Sequence, residues 1–275
     1  MSIGKYVATL ATGVAGMAAL HKTSSVRRQN SPFRRYWERH LVATLDDLHA
    51  RAKEGKERPL IYVAFGDSAA QGLGASKITE GYVPRLAQAL ALGSGREVAL
   101  LNLSLSGGTV QSVLGTQIPQ LAGLQIAGEP VQPDVVTLDI GSNDVGQAWV
   151  SNESFTAAHQ AMVGALPAGT FVLNLPSFGV LEAEKRAAAF STIIGEQATD
   201  GGHHVVDIRT ISRNMPMRTY MFDYHAPDLF HPNSPWYEVW AQEFANEICA
   251  VHGWPPIDVS GLDEWSGPIA TDRDL

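Results

Sequence analysis

The sequence predicts a three-layer α/β fold, a parallel sheet with helices on both faces, and three observations lead there. Five short runs rich in Val, Ile and Leu recur through the middle of the chain, each apolar almost throughout rather than in alternation. Strands buried on both faces read this way, and such strands belong to parallel sheets. Longer stretches with apolar residues at helical spacing lie between the runs. Segments rich in Gly, Ser, Asn and Asp follow the first three strands. The regular βα alternation places this domain at residues 58–252.

The first strand is expected at 59–65 (PLIYVAF) and the first helix of the domain at 81–93 (GYVPRLAQALALG). A second strand at 98–103 (VALLNL) leads to a helix over 109–122, and a third at 134–140 (DVVTLDI) to a helix over 152–166. The fourth strand, 170–175 (TFVLNL), precedes a helix over 179–200, and the fifth spans 203–208 (HHVVDI). A last helix runs from about Ser234 to Val251, with Pro235 in its first turn, where a missing N–H removes no helical hydrogen bond.

Of the 275 residues, 45% are apolar and 17% charged, the composition of an ordinary globular protein. The net charge of −8 is unevenly divided. Residues 1–58 carry eleven Lys/Arg against five Asp/Glu, a charge of +6, which leaves −14 on the remainder. An acidic globule argues against nucleic acid as a partner. Cys249, the single cysteine, excludes an intramolecular disulfide. The basic extension 1–57 holds an apolar segment at 6–20 (YVATLATGVAGMAAL), followed by Lys22, Arg27, Arg28, Arg34, Arg35 and Arg39. It admits three readings: an ordered accessory helix, a weak membrane anchor with a cytoplasmic basic flank, or an export signal. The acidic tail 253–275, with Trp254, Pro255, Pro256 and Trp265, either packs on the domain or forms a contact surface. Nothing in these patterns sets an oligomeric state.

Open α/β sheets bind ligands beyond the carboxyl ends of their strands, and the chemistry-bearing residues of this chain fall there. Gly66-Asp67-Ser68 follows the first strand, Ser106-Gly107-Gly108 the second and Gly141-Ser142-Asn143-Asp144 the third, while Asp228-Leu229-Phe230-His231-Pro232 precedes the last helix. Ester cleavage by serine needs a hydroxyl, a base, a group that orients the base and donors for the oxyanion. Ser68 supplies the hydroxyl on a rigid turn, His231 the base and Asp228, three residues earlier, the orienting carboxylate. The N–H groups of Ser68 and Gly107 and the Asn143 amide are the oxyanion donors, with Asp144 a helix cap and Asp67 a turn residue. The Met- and aromatic-rich segment 215–224 is expected to wall an acyl group through Met217 and Phe222, ordinary core packing being the competing reading. Asp223, His225, Asp228 and His231 also resemble a carboxylate and imidazole metal set, but no supporting ligand motif accompanies them, so no metal is expected.

The four segments, F-G-D-S at 65–68, N-L-S-L-S-G at 102–107, G-S-N-D at 141–144 and D-L-F-H-P at 228–232, resemble the four signature blocks of the SGNH (GDSL-type) hydrolase superfamily. G-D-S alone is common; four blocks in order, each at a predicted strand end or before the last helix, are specific. The likeness covers about 58–252 and is nearest to bacterial lipase-like acyl esterases, with Ala69 where the family usually has Leu. It implies a flavodoxin-like five-stranded sheet of order 2-1-3-4-5, a Ser-His-Asp mechanism through an acyl-enzyme, a small acyl ester as substrate and no cofactor. The same machinery serves sugar acetates and thioesters, and a silent relative would bind lipid or glycan without cleavage. A phosphate loop, a complete dinucleotide fingerprint and the G-x-S-x-G of classical α/β-hydrolases are all missing from the sequence.

Overall fold

A computed structural model describes residues 3–268, with side chains from Ser25 onward. The side chains of residues 6–20, on which the anchor, signal and accessory-helix readings turn, lie outside the described residues. Among the described residues no helix is long and apolar enough to cross a membrane.

The chain opens with α1 (Ile3–Glu54), followed by β1 (Leu60–Gly66), α2 (Tyr82–Ser94) and β2 (Val98–Asn102). Helix α3 covers 110–123, with a π turn at Val113–Gln117 inside it. Next come β3 (Val135–Asp139), α4 (Asn152–Val163), β4 (Phe171–Leu173), α5 (Glu184–Asp200) and β5 (His204–Val206). Two short helices, α6 (Ile208–Asn214) and α7 (Met217–Asp223), precede α8 (Ser234–His252). The five strands pair in parallel in the order β2-β1-β3-β4-β5, the expected 2-1-3-4-5 arrangement.

Alternation along β1 divides the core into two layers. Leu60, Tyr62 and Ala64 join Leu86 of α2 and Trp236, Trp240 and Phe244 of α8. Ile61, Val63 and Phe65 face the other way, with Val110 of α3, Phe155 of α4 and Phe190 of α5. The rings of Phe155 and Phe190 stack at 3.8 Å. Helix α8 begins where Ser234 and Pro235 predict, with the Asn233 side chain accepting the Trp236 N–H at 3.2 Å. Helix α5 starts five residues later than the sequence pattern suggests. The Glu184 carboxylate instead accepts the Phe178 N–H at 2.5 Å and holds 176–183 as a loop.

Helix α1 lies against edge strand β2. Trp37 enters one core layer, and Leu48, with Leu41 and Leu45, enters the other. An edge strand with open N–H and C=O groups invites pairing with another chain, and this helix covers it. The described part of the tail packs on the body: Val259 and Trp265 are buried, and Trp265 sits 5.0 Å from the His40 ring of α1. Residues 269–275 lie outside the described residues.

Candidate active site

Strand β1 ends at Gly66, where glycine is a steric necessity, since a Cβ there would lie 2.7 Å from the Asp139 carbonyl oxygen of β3. The chain turns at Asp67 and Ser68, and the Ser68 carbonyl accepts the Leu73 N–H at 3.0 Å. From the far side, the loop before α8 brings His231 to Ser68. His231 Nε2 is 2.9 Å from Ser68 Oγ, and His231 Nδ1 is 2.7 Å from Asp228 Oδ2. The other Asp228 oxygen, Oδ1, accepts the N–H groups of Phe230 and His231, both at 3.1 Å. Leu229, between Asp228 and Phe230, adopts a left-handed backbone with φ 55°. That conformation costs a non-glycine residue about 1–3 kcal/mol, and here it folds the loop back so that one carboxylate holds both amides and the imidazole.

Ser106, Gly107 and Asn143 line a cleft with Ser68. Gly107 has φ 76°, a left-handed conformation natural to glycine, and nothing lies within 4 Å of where its Cβ would be. Among the described residues the N–H groups of Ser68 and Gly107 have no intramolecular partner. Asn143 is placed differently from the simplest expectation. Its amide nitrogen donates to Asp67 Oδ2 at 2.9 Å and to the Gly108 carbonyl at 2.8 Å, so both hydrogens are engaged. Asp67 therefore does more than shape a turn: Oδ1 accepts the Ala69 N–H at 2.9 Å while Oδ2 holds Asn143. Asp144 accepts the Val110 N–H at 3.2 Å and caps α3.

Burial sets the electrostatics. Asp67 is pushed up to about 6 by burial, against the opposing pull of the Ala69 amide, the His231 charge and the Asn143 amide. Asp139, beside it, is driven well above the carboxylate range by burial and by Asp67. Burial also acts to raise Asp228, but its hydrogen bonds to His231, the His231 charge and the two amides outweigh it and hold the carboxylate below its usual value. Asp228 is thus kept ionised beside the imidazole.

Two cavities meet at Ser68. The narrow one, about 50 Å³, is lined by Pro176, Ser177, Phe178, Leu181, Tyr220, Met221 and Trp236 among others. Met217 and Phe222 are not in that lining and are 44% and 69% exposed. The segment is a short helix, α7, and its inward face carries Tyr220 and Met221 instead; periodicity over seven residues is too brief to reveal which face turns in. The Tyr220 hydroxyl donates to the Ser177 carbonyl at 2.6 Å, and His225 Nδ1 faces the Tyr220 carbonyl at 2.7 Å. The wider cleft, about 410 Å³, adds Val26, Arg27 and Asn30 of α1 to Ser68, Gly107, Asn143, Asp228 and His231. Reading 1–57 by charge notes Arg27 but passes over Val26 and Asn30, and gives no reason to place any of them at the site. The signal was the spacing of Val26, Phe33, Trp37, Leu41, Leu45 and Leu48, a helical apolar stripe.

The family model for GDSL-like lipases and acylhydrolases matches residues 64–239, from β1 into α8. The chain belongs to the GDSL-like lipase/acylhydrolase family. This GDSL-like protein is accordingly a carboxylic ester hydrolase. Its fold is that of solved structures of an acetylxylan esterase from Geobacillus stearothermophilus (18% identity, TM-score 0.53, covering 68% of this chain and 93% of that one) and of the lipase Lip_vut3 from a goat rumen metagenome (19%, 0.54, 68% and 98%). A lipase/acylhydrolase from Enterococcus faecalis is similar at 17% identity and TM-score 0.54, covering 72% of this chain and 98% of that one. No curated protein sequence matches the GDSL-like chain. These neighbours are covered almost whole, while more than a quarter of the GDSL-like chain lies beyond them.

Proposed function

We propose that this enzyme cleaves short-chain carboxylic esters by nucleophilic attack of Ser68, with His231 as general base and Asp228 as the group that orients and charge-stabilises the imidazole. The observation that carries this reading is the continuous hydrogen-bond relay from Asp228 through His231 to Ser68, at 2.7 and 2.9 Å, at the carboxyl edge of the sheet. Ser68 Oγ attacks the ester carbonyl carbon as its proton passes to His231 Nε2. The N–H groups of Ser68 and Gly107 receive the oxyanion, and Asn143 joins them by giving up one of its two existing hydrogen bonds. Collapse breaks the C–O bond, His231 returns the proton to the departing alkoxide, and water repeats the sequence on the acyl-enzyme to release the acid.

Cavity size favours a small acyl group. At about 50 Å³, against about 410 Å³ for the neighbouring cleft, the narrow cavity suits an acetyl to butyryl chain better than a long one. The same dimensions support a second reading, a sugar acetate whose alcohol part occupies the wider cleft. Rates on p-nitrophenyl esters from acetate to decanoate test the assignment. We expect kcat/KM to be highest for acetate or butyrate and to fall toward decanoate, with all hydrolysis abolished in Ser68→Ala. A preference for decanoate would refute the small acyl pocket, and undiminished turnover in Ser68→Ala would refute the mechanism.

A further inference from the structure

The wider cleft beside Ser68 is completed by residues outside the family match, because α1 is pinned across its rim. Val26 is 3% exposed and packs with Leu73 and Ala226. The Gln29 side chain bridges two backbone groups of the loop after Ser68, accepting the Gly74 N–H and donating to the Ala75 carbonyl, both at 2.9 Å. The Trp37 indole N–H donates to the Gln71 carbonyl at 3.0 Å. Residues 26–37 are therefore fixed relative to the nucleophile rather than hung near it.

Between these anchors, Arg27 and Asn30 lie three residues apart, on one face of the helix, and both line the cleft. Arg34 and Arg51 on the same helix pair with Glu38 and Asp47, at 3.5 and 2.7 Å. Arg27 has no ionic partner among the described residues. Asp228 is the single carboxylate among the lining residues, and His231 and two amides already engage it. The cleft thus presents a cation whose charge is unanswered, in a body that otherwise carries excess negative charge. Guanidinium pairs strongly with phosphate and carboxylate through two parallel N–H donors.

We propose that Arg27 binds an anionic group, phosphate or carboxylate, on the alcohol part of the ester substrate, so that α1 selects the leaving group. This rests on the assignment of Ser68 as nucleophile. The narrow cavity takes the acyl group, the wide one takes the alcohol, and Asn30 offers the anion a further polar contact. An anion there lies on the leaving-group side, where it contributes to recognition of the substrate and so to KM.

Aryl acetates with a common small acyl group provide the test: neutral 3-acetoxybenzamide against 3-acetoxybenzoate and 3-acetoxyphenyl phosphate, all soluble monomers, followed by phenol release at low ionic strength. At least one anionic ester should exceed the amide in kcat/KM by about tenfold or more, the range of a charged hydrogen bond, chiefly through KM. Arg27→Gln should bring that ratio close to one and Arg27→Glu should invert it. Lys53→Gln, the same charge change at the far end of α1, should preserve the ratio. A wild-type ratio near one for both anions, or a preference that survives Arg27→Glu, overturns the anion site. Hydrolysis of the neutral amide reports the underlying reading separately, since its persistence in Ser68→Ala would overturn both.

Discussion

The side-chain amide of Asn143 is fully engaged before any substrate arrives. Asp67 Oδ2 and the Gly108 carbonyl hold it in place, so its two donors face groups that an oxyanion must displace or share. Such a donor contributes when charge develops in the transition state and contributes little to the ground state. Asn143→Ala should therefore lower kcat by about 10²–10³-fold with little change in KM, measured on p-nitrophenyl acetate. A variant that changes KM alone would mean that Asn143 holds substrate rather than the oxyanion. Asn143 and Gly107 were legible in the sequence as types at strand ends. The Asp67 contact was not, because Asp67 and Asn143 are 76 residues apart and meet through the adjacency of β1 and β3.

Among the elements, α1 departs furthest from a sequence reading by charge. Its apolar stripe reaches both core layers and covers the β2 edge, and its His40 ring lies in the seam with the tail, edge-on to Trp37 at 5.6 Å and tilted against Trp265 at 5.0 Å. His40 is fully buried, and burial lowers its pKa to about 4. The unfolded chain takes up a proton near the usual histidine value while the folded chain refuses it until about pH 4. Stability from this group is complete above the usual value and lost as pH falls toward 4, on the order of 3 kcal/mol over the whole window. His40→Phe keeps an aromatic ring in the seam and removes the titration. Its Tm should fall less than that of the wild type between pH 7 and pH 5 in thermal melts; parallel curves would show that the seam does not titrate. The five strands were legible as near-continuous apolar runs, and α8 because it is long enough to show its helical period. Helices α6 and α7, of seven residues each, were not, and with them went the choice of Tyr220 and Met221 over Met217 and Phe222.

Across the whole molecule, the parallel sheet gathers residues from four distant segments at one edge. Ser68 and His231 are 163 residues apart yet lie within hydrogen-bond distance because β1 is an interior strand and α8 packs on the same core layer as its Leu60, Tyr62 and Ala64. Such an arrangement is readable from order and strand ends, which is why the relay could be anticipated while the cleft beside it could not. The cleft depends on where a long helix outside the family match comes to rest, a packing outcome with no local motif. In the mechanism proposed above, this assembly activates Ser68 as a nucleophile. Intact-protein mass spectrometry after treatment with a fluorophosphonate measures that directly, with peptide mapping of the adduct. One phosphonyl adduct per chain, located on Ser68, is expected, and none in folded Ser68→Ala or His231→Ala. A folded wild-type protein that takes up no adduct, or takes it up at another residue, would contradict it.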